Sequence, residues 1–193
     1  MRIILGSQSK GRREVMERMG MAFEVMPADI DEKLIRNNDP VELTRAIAHA
    51  KADALLSRIH ESVILITADT VVTCNGKIRE KAATAEEAGD FLREYGTHSL
   101  QTVSAVVVTN THTRAQKDGV DIATVWFRPI PEEVIAQMIR RSDICSFAGG
   151  FAYQDPLQKS FIDRIKGEEE SVLGLPKQLT LNLLKKILAS GIT

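Results

Sequence analysis

At 193 residues and 44% hydrophobic, the chain can bury a sizeable core as one domain. Its formal charge of -1 excludes the global basic field that drives non-specific binding to nucleic acids or membranes, so any anion must be recognised locally. The two cysteines, Cys74 and Cys145, lack a CxxC or CxxH context and read as ordinary thiols of a reduced, cytoplasmic protein, and the longest apolar stretch, residues 63–72, is too short to span a bilayer and is broken by Asp69.

Ile3–Leu5 is apolar and reads as a short buried strand, residues 6–11 as a turn, and a helix begins at Arg12 with Val15, Met16 and Met19 on one face. That order builds an anion site: the unpaired N–H groups of a helix start carry the positive end of its dipole, and Ser7, Ser9, Lys10, Arg12 and Arg13 add donors beside them. The stretch is neither a Walker loop nor a dinucleotide fingerprint, and a plain strand-turn-helix with two solvated arginines is the alternative. A second short strand is expected at 23–26. Asp39-Pro40 has the form of an N-cap with proline at the first helical position, opening a helix to about residue 60.

Residues 63–68 form a β-branched-rich run that reads as a central strand, with Asp69 at its carboxyl end and Thr70 to Thr73 continuing toward an Asn75-Gly76 hairpin turn and a return strand at 77–80. Thr84-Ala-Glu-Glu87 has the form of a capping box opening a helix to about residue 94. Two β-rich runs, 100–109 and 120–127, read as a long antiparallel hairpin. A helix at 131–141, a loop at 148–156, an amphipathic piece around Phe161 and Ile165, a turn at 172–176 and a helix at 179–188 complete the chain. The alternation of strand and helix predicts an α/β fold over 1–193, as a single domain or as two interwoven lobes.

Asp69 leads the chemical candidates. Open α/β sheets bind ligands at the carboxyl ends of their strands, and a carboxylate buried there is costly unless it meets a cation or a water to be activated. Asp29, Asp31 and Glu32 alone would be a solvated acidic loop. Combined with Asp69 and facing a basic phosphate cradle, two or three such carboxylates form the oxygen-rich site that Mg²⁺ prefers, with Mn²⁺ as a substitute ion. Lys51 on the long helix and Lys81 after Arg79-Glu80 would complete the positive side.

These residues resemble the Maf family of nucleoside triphosphate pyrophosphatases. Residues 4–14 are similar to the family's opening L-A-S-x-S-P-R-R-x-E-L-L, Ala68-Asp-Thr-Val-Val72 to its A-D-T-V-V, and Glu80-Lys81 falls where it has G-K-P. Residues 96–102 resemble its G-x-x-H-x-V-x-T, 148–154 its A-G-x-Y-x-I-Q-G, and Val172-Leu-Gly-Leu-Pro176 its V-V-G-L-P; all six motifs occur in register. The resemblance implies an elongated mixed-sheet, two-lobed α/β fold shared with inosine triphosphate pyrophosphatases, with a nucleotide cleft between the lobes. It also implies metal-dependent conversion of a nucleoside triphosphate to the monophosphate and pyrophosphate, and a homodimer. Asp69 matches the family's proton acceptor, Ser7 and Arg12 its phosphate contacts, and Glu32, Lys51 and Lys81 further polar residues of the pocket. Thr70 and Gln154 match positions tied to base preference in the pyrimidine-preferring subgroup.

The chain departs from the pattern at Lys10 for proline, Gly11 for the first arginine, Ala82 for proline and Asp155-Pro156 for glycine. A 7-methyl-GTP subgroup also lacks that arginine, so base preference stays open between dTTP/UTP and a modified nucleotide. Two functions are weighed: hydrolysis at the α-phosphorus, with Asp69 and Glu32 holding metal and activating water, and a nucleotide-sensing module that has lost catalysis and serves control of cell division.

Overall fold

In the computed structural model, which describes residues 2–140 and 143–189, the opening run Ile3–Leu5 is strand β1 and pairs in parallel with two neighbours. One is β2, Glu24–Val25, inside the expected 23–26; the other is β3, Ile64–Cys74, with Leu5 opposite Ile66. β3 does not stop at Asp69. β-branched residues flank the carboxylate on both sides, so extended backbone continues through it to the Asn75-Gly76 turn, where both residues take positive φ and the chain returns as β4, Lys77–Arg79. The expected strand-end position of Asp69 is therefore corrected to mid-strand.

The remaining strands are β5, Leu100–Asn110, β6, Gln116–Phe127, and β7, Ile162–Lys166. They complete a mixed seven-stranded sheet of order β2-β1-β3-β5-β6-β7, with β4 beside β3. β6 starts four residues earlier than the composition predicts, because the Asn110 side chain accepts from the His112 and Thr113 N–H groups and turns the chain within a few residues. β7 occupies the segment read only as amphipathic and pairs antiparallel with β6.

The helices are α1, Lys10–Arg18; α2, Pro40–Leu56; α3, Ala85–Tyr95; α4, Glu132–Ile139; α5, Pro156–Lys159; α6, Glu169–Val172; and α7, Lys177–Ala189. Asp39 caps α2 by accepting from Val41 and Glu42 N–H at 2.8 and 3.2 Å, and Thr84 caps α3 by accepting from Glu87 N–H at 3.1 Å. α2 ends at Leu56, short of residue 60. α4 falls within the helix expected at 131–141, of which Arg141 lies outside the described residues. Among the described residues, no helix is long and apolar enough to cross a membrane.

The chain divides into two compact units, each assembled from separated segments. The first comprises 1–70, 104–121 and 173–193. In it α2 lays Ala48, Ala52 and Leu55 against Ile4, Val63, Leu65, Ala105 and Val107, all buried. Each large side chain so buried contributes about 1.5–3 kcal/mol of transfer free energy. Thr67 adds a polar tie from β3 to α2, its hydroxyl donating to Ala48 O at 2.8 Å.

The second unit comprises 71–103 and 122–172. Tyr95 of α3 stacks on Phe127, which meets Phe151 edge-on, and the buried Tyr95 hydroxyl donates to Gly149 O at 2.7 Å. Asp155 caps α5 by accepting from Leu157 N–H at 2.8 Å, with Pro156 at the first helical position. This turn brings the buried Gln158 amide onto the preceding loop, where it accepts from Ala152 N–H at 2.9 Å and donates to Gly150 O at 2.8 Å. The Asp155-Pro156 departure thus starts the helix that braces the 148–154 loop.

Candidate functional site

The site is built where β1 ends and β3 runs on. Gly6 N–H donates to Ile66 O at 2.8 Å, and the chain then turns into α1. Ser9, not a later residue, is the N-cap: its hydroxyl accepts from Arg12 N–H at 3.4 Å, so the helix begins at Lys10 and both Gly11 and Arg12 lie in its first turn. A Cβ at Gly11 would stand 2.6 Å from the backbone oxygen of Leu173, too close for any side chain without a backbone shift. That close approach explains glycine where the resembled family carries arginine.

Arg12 is 8% exposed, and its guanidinium is held from three directions. Nε donates to Gly174 O at 3.0 Å, one terminal nitrogen to Ser7 Oγ at 3.1 Å and the other to Thr70 Oγ1 at 3.3 Å. A guanidinium has five N–H groups, so one on each terminal nitrogen is left for an anion. Burial lowers the Arg12 pKa from its ordinary value, and the charges of Asp69 and Glu32 partly offset that effect. Ser7 Oγ also accepts from Ser9 N–H at 3.2 Å, fixing the turn.

Asp69 is 6% exposed, one residue before Thr70, and its Oδ1 accepts from Lys51 Nζ at 2.8 Å. The Lys51 ammonium also meets Glu32 Oε1 at 2.9 Å and Ala68 O at 3.4 Å. Its three N–H groups are thereby all given to the protein. Asp69 Oδ2 has no protein partner among the described residues and is not fully buried. Asp31 shapes the Glu32 segment by accepting from Lys33 N–H at 3.1 Å.

Ser7, Arg12, Glu32, Lys51, Asp69 and Thr70 are thus brought together in the first unit, with Arg13 half-buried on α1. Two cations and two carboxylates make the cluster formally neutral. Lys81 and Gln154 belong to the second unit, where both are exposed; the Lys81 backbone bridges to Ala148. Sequence reasoning missed Gly174 and Ser104 at the site, and Gln158 and Tyr95 beneath the 148–154 loop. Gly174 takes φ +90 and turns its carbonyl to Arg12, a conformation only glycine adopts without strain.

Among the described residues, no group of three or more His, Cys, Asp or Glu side chains could enclose a metal. Asp69 and Glu32 supply two carboxylates. That donor set suits Mg²⁺, which is commonly held by one or two carboxylates together with substrate phosphates and water. Burial pushes the Cys74 thiol up to about 11.

Comparison with known proteins gives a consistent picture. The sequence profile of the Maf-like protein family matches residues 2–187. The chain is 42% identical over 192 residues to a 7-methyl-GTP pyrophosphatase from Dictyostelium discoideum, with 96% of each chain covered. It is 30% identical over 187 residues to a dTTP/UTP pyrophosphatase from Vibrio vulnificus, covering 97% of this chain and 99% of the relative. Among solved structures, a HAM1 protein from Coxiella burnetii matches with a TM-score of 0.51 at 15% identity, covering 98% of this chain and 99% of that one. The Ham1 protein of Staphylococcus aureus matches with a TM-score of 0.52 at 12% identity, covering 99% and 100%. These two likenesses are of fold.

Proposed function

The chain belongs to the Maf-like protein family, and on that premise we propose that it is a nucleoside triphosphate pyrophosphatase, which hydrolyses its substrate to the monophosphate and pyrophosphate. The observation that carries the site assignment is a buried arginine with two uncommitted N–H groups, tied through Thr70 to the chain position next to Asp69. Arg12 and the Ser7 turn receive polyphosphate oxygens. Asp69 Oδ2, the free carboxylate oxygen, accepts a proton from water as that water's oxygen bonds to the α-phosphorus. The bond from the α-phosphorus to the oxygen bridging to the β-phosphorus breaks, and pyrophosphate leaves.

Lys51 acts on Asp69 and not on phosphate. With its donors committed, it fixes the orientation of the carboxylate and leaves Oδ2 available as base. A divalent ion, Mg²⁺ in our reading, would be held by Asp69 and Glu32 and supplies neutralisation of the polyphosphate charge. Lys81 and Gln154 are assigned to substrate binding, and Arg13 adds positive charge at the helix start. The protein acts in the cytoplasm as a homodimer; a monomer mass by light scattering would remove the second of these assignments.

The base is 7-methylguanine, a reading supported by the higher identity to the 7-methyl-GTP relative. Thymine or uracil is the second reading, favoured by Thr70 and Gln154 in the motifs that carry pyrimidine preference. The sensing module has no support among relatives named as pyrophosphatases.

Incubation with 7-methyl-GTP, dTTP, UTP and the common nucleoside triphosphates in Mg²⁺ tests the function directly. Pyrophosphate and a monophosphate are expected in equal amounts from at least one of them, with loss of turnover in excess chelator and recovery on adding Mg²⁺. No turnover of any triphosphate, or orthophosphate as the first product, would overturn it.

A further inference from the structure

Ser104 lies in the part of β5 that belongs to the first unit, and its residue is fully buried in a run of valines and alanines. Its hydroxyl is 2.9 Å from Thr70 Oγ1. No motif in the sequence marks it, and the reaction outlined above does not use it.

That hydrogen bond, in which either hydroxyl can donate, joins a buried network. Thr70 Oγ1 also accepts from a terminal nitrogen of Arg12 at 3.3 Å and lies 3.3 Å from Gly174 O. Gly174 O in turn accepts from Arg12 Nε at 3.0 Å, closing a ring of Arg12, Thr70 and Gly174 that Ser104 holds at Thr70 and Ser7 holds at Arg12.

We infer that Ser104 is a positioning residue for phosphate recognition: by its hydrogen bond to Thr70 it fixes the Thr70 hydroxyl as acceptor for Arg12, and so aims the two free guanidinium N–H groups at the substrate's oxygens. Ser104 has no solvent exposure, so water does not replace its hydroxyl once that is removed. The Thr70 rotor is then free to turn, and Arg12 loses one of three restraints. The consequence falls on anion binding and not on the Asp69 step. This rests on the pyrophosphatase reading for its meaning, but its test does not require turnover.

The test is a double-mutant cycle on affinity for inorganic pyrophosphate, measured calorimetrically in Mg²⁺, with KM and kcat for the best triphosphate alongside. Ser104→Ala is expected to weaken pyrophosphate binding and raise KM about tenfold, the effect of one hydrogen bond to a charged network, with kcat changed less. Thr70→Val is expected to do the same, and the double variant to be no worse than Thr70→Val alone, because Ser104 acts through Thr70. Ser104→Cys, which keeps a weaker hydrogen-bonding group in nearly the same volume, should fall between wild type and Ser104→Ala, and it carries the test if the alanine variant fails to fold. Unchanged affinity in Ser104→Ala, or independent losses that multiply in the double variant, would overturn the inference while leaving pyrophosphatase activity intact. Absence of turnover in the wild type would instead remove the functional reading and leave the affinity cycle to decide on Ser104.

Discussion

Asp69→Asn is expected to reduce pyrophosphate release by about 10²–10⁴-fold, the range for loss of a positioned general base, while nucleotide affinity stays within a few-fold. The amide keeps the shape of the side chain and can still accept from Lys51 through its oxygen, where Asp69 Oδ1 now accepts at 2.8 Å. It cannot take a proton from water. Because Arg12 and the Ser7 turn are untouched, the polyphosphate tail retains its donors. Single-turnover kinetics beside a binding titration separate the two effects, and undiminished turnover would remove Asp69 from the reaction.

The second large effect concerns stability. Lys51 and Asp69 side chains are each 8% exposed, and Lys51→Met would leave the Asp69 carboxylate enclosed without its cation. Breaking a buried pair from one side costs about 3–5 kcal/mol, because the remaining charge has lost both water and partner. The Glu32 side chain is 51% exposed and adds little to this figure. The double variant Lys51→Met/Asp69→Asn removes both charges and should recover part of the loss. Urea unfolding of the three proteins measures it. A Lys51→Met variant as stable as wild type would show that the pair is not a fixed element of the fold.

Local chemistry made much of the fold readable. Asp39-Pro40, Thr84 and Asn75-Gly76 each impose a backbone geometry through a cap, a fixed φ or a tight turn, and the elements they open or close lie where expected. Asp69 stood out because a carboxylate inside an apolar run must be compensated, and Lys51 and the neighbourhood of Arg12 provide the compensation. What could not be read depends on contacts between distant segments. Two hydroxyls, Ser7 and Ser9, precede α1, and the cap by Ser9 sets Gly11 inside the helix against Leu173 O. The commitment of all three Lys51 protons depends on the approach of Glu32, nineteen positions earlier in a loop whose composition suggested solvent. Ser104 is one small polar residue in a valine-rich strand, and only the pairing of strands and the Gly174 turn give its hydroxyl a task.

The same limit applied to the unit that holds the 148–154 loop. Asp155-Pro156 departs from a family motif; in place it caps α5 and sets Gln158 under the loop backbone. A departure from a family pattern is therefore to be judged by the hydrogen bonds it makes, which no spacing argument supplies.

Hydrolysis in ¹⁸O-labelled water, with the products resolved by mass spectrometry or by the isotope shift in ³¹P NMR, tests the chemistry most directly. Attack at the α-phosphorus puts one labelled oxygen into the nucleoside monophosphate and none into the pyrophosphate. Label in the pyrophosphate, or a first product other than pyrophosphate, would contradict the placing of water, Asp69 and the departing group on which the account stands.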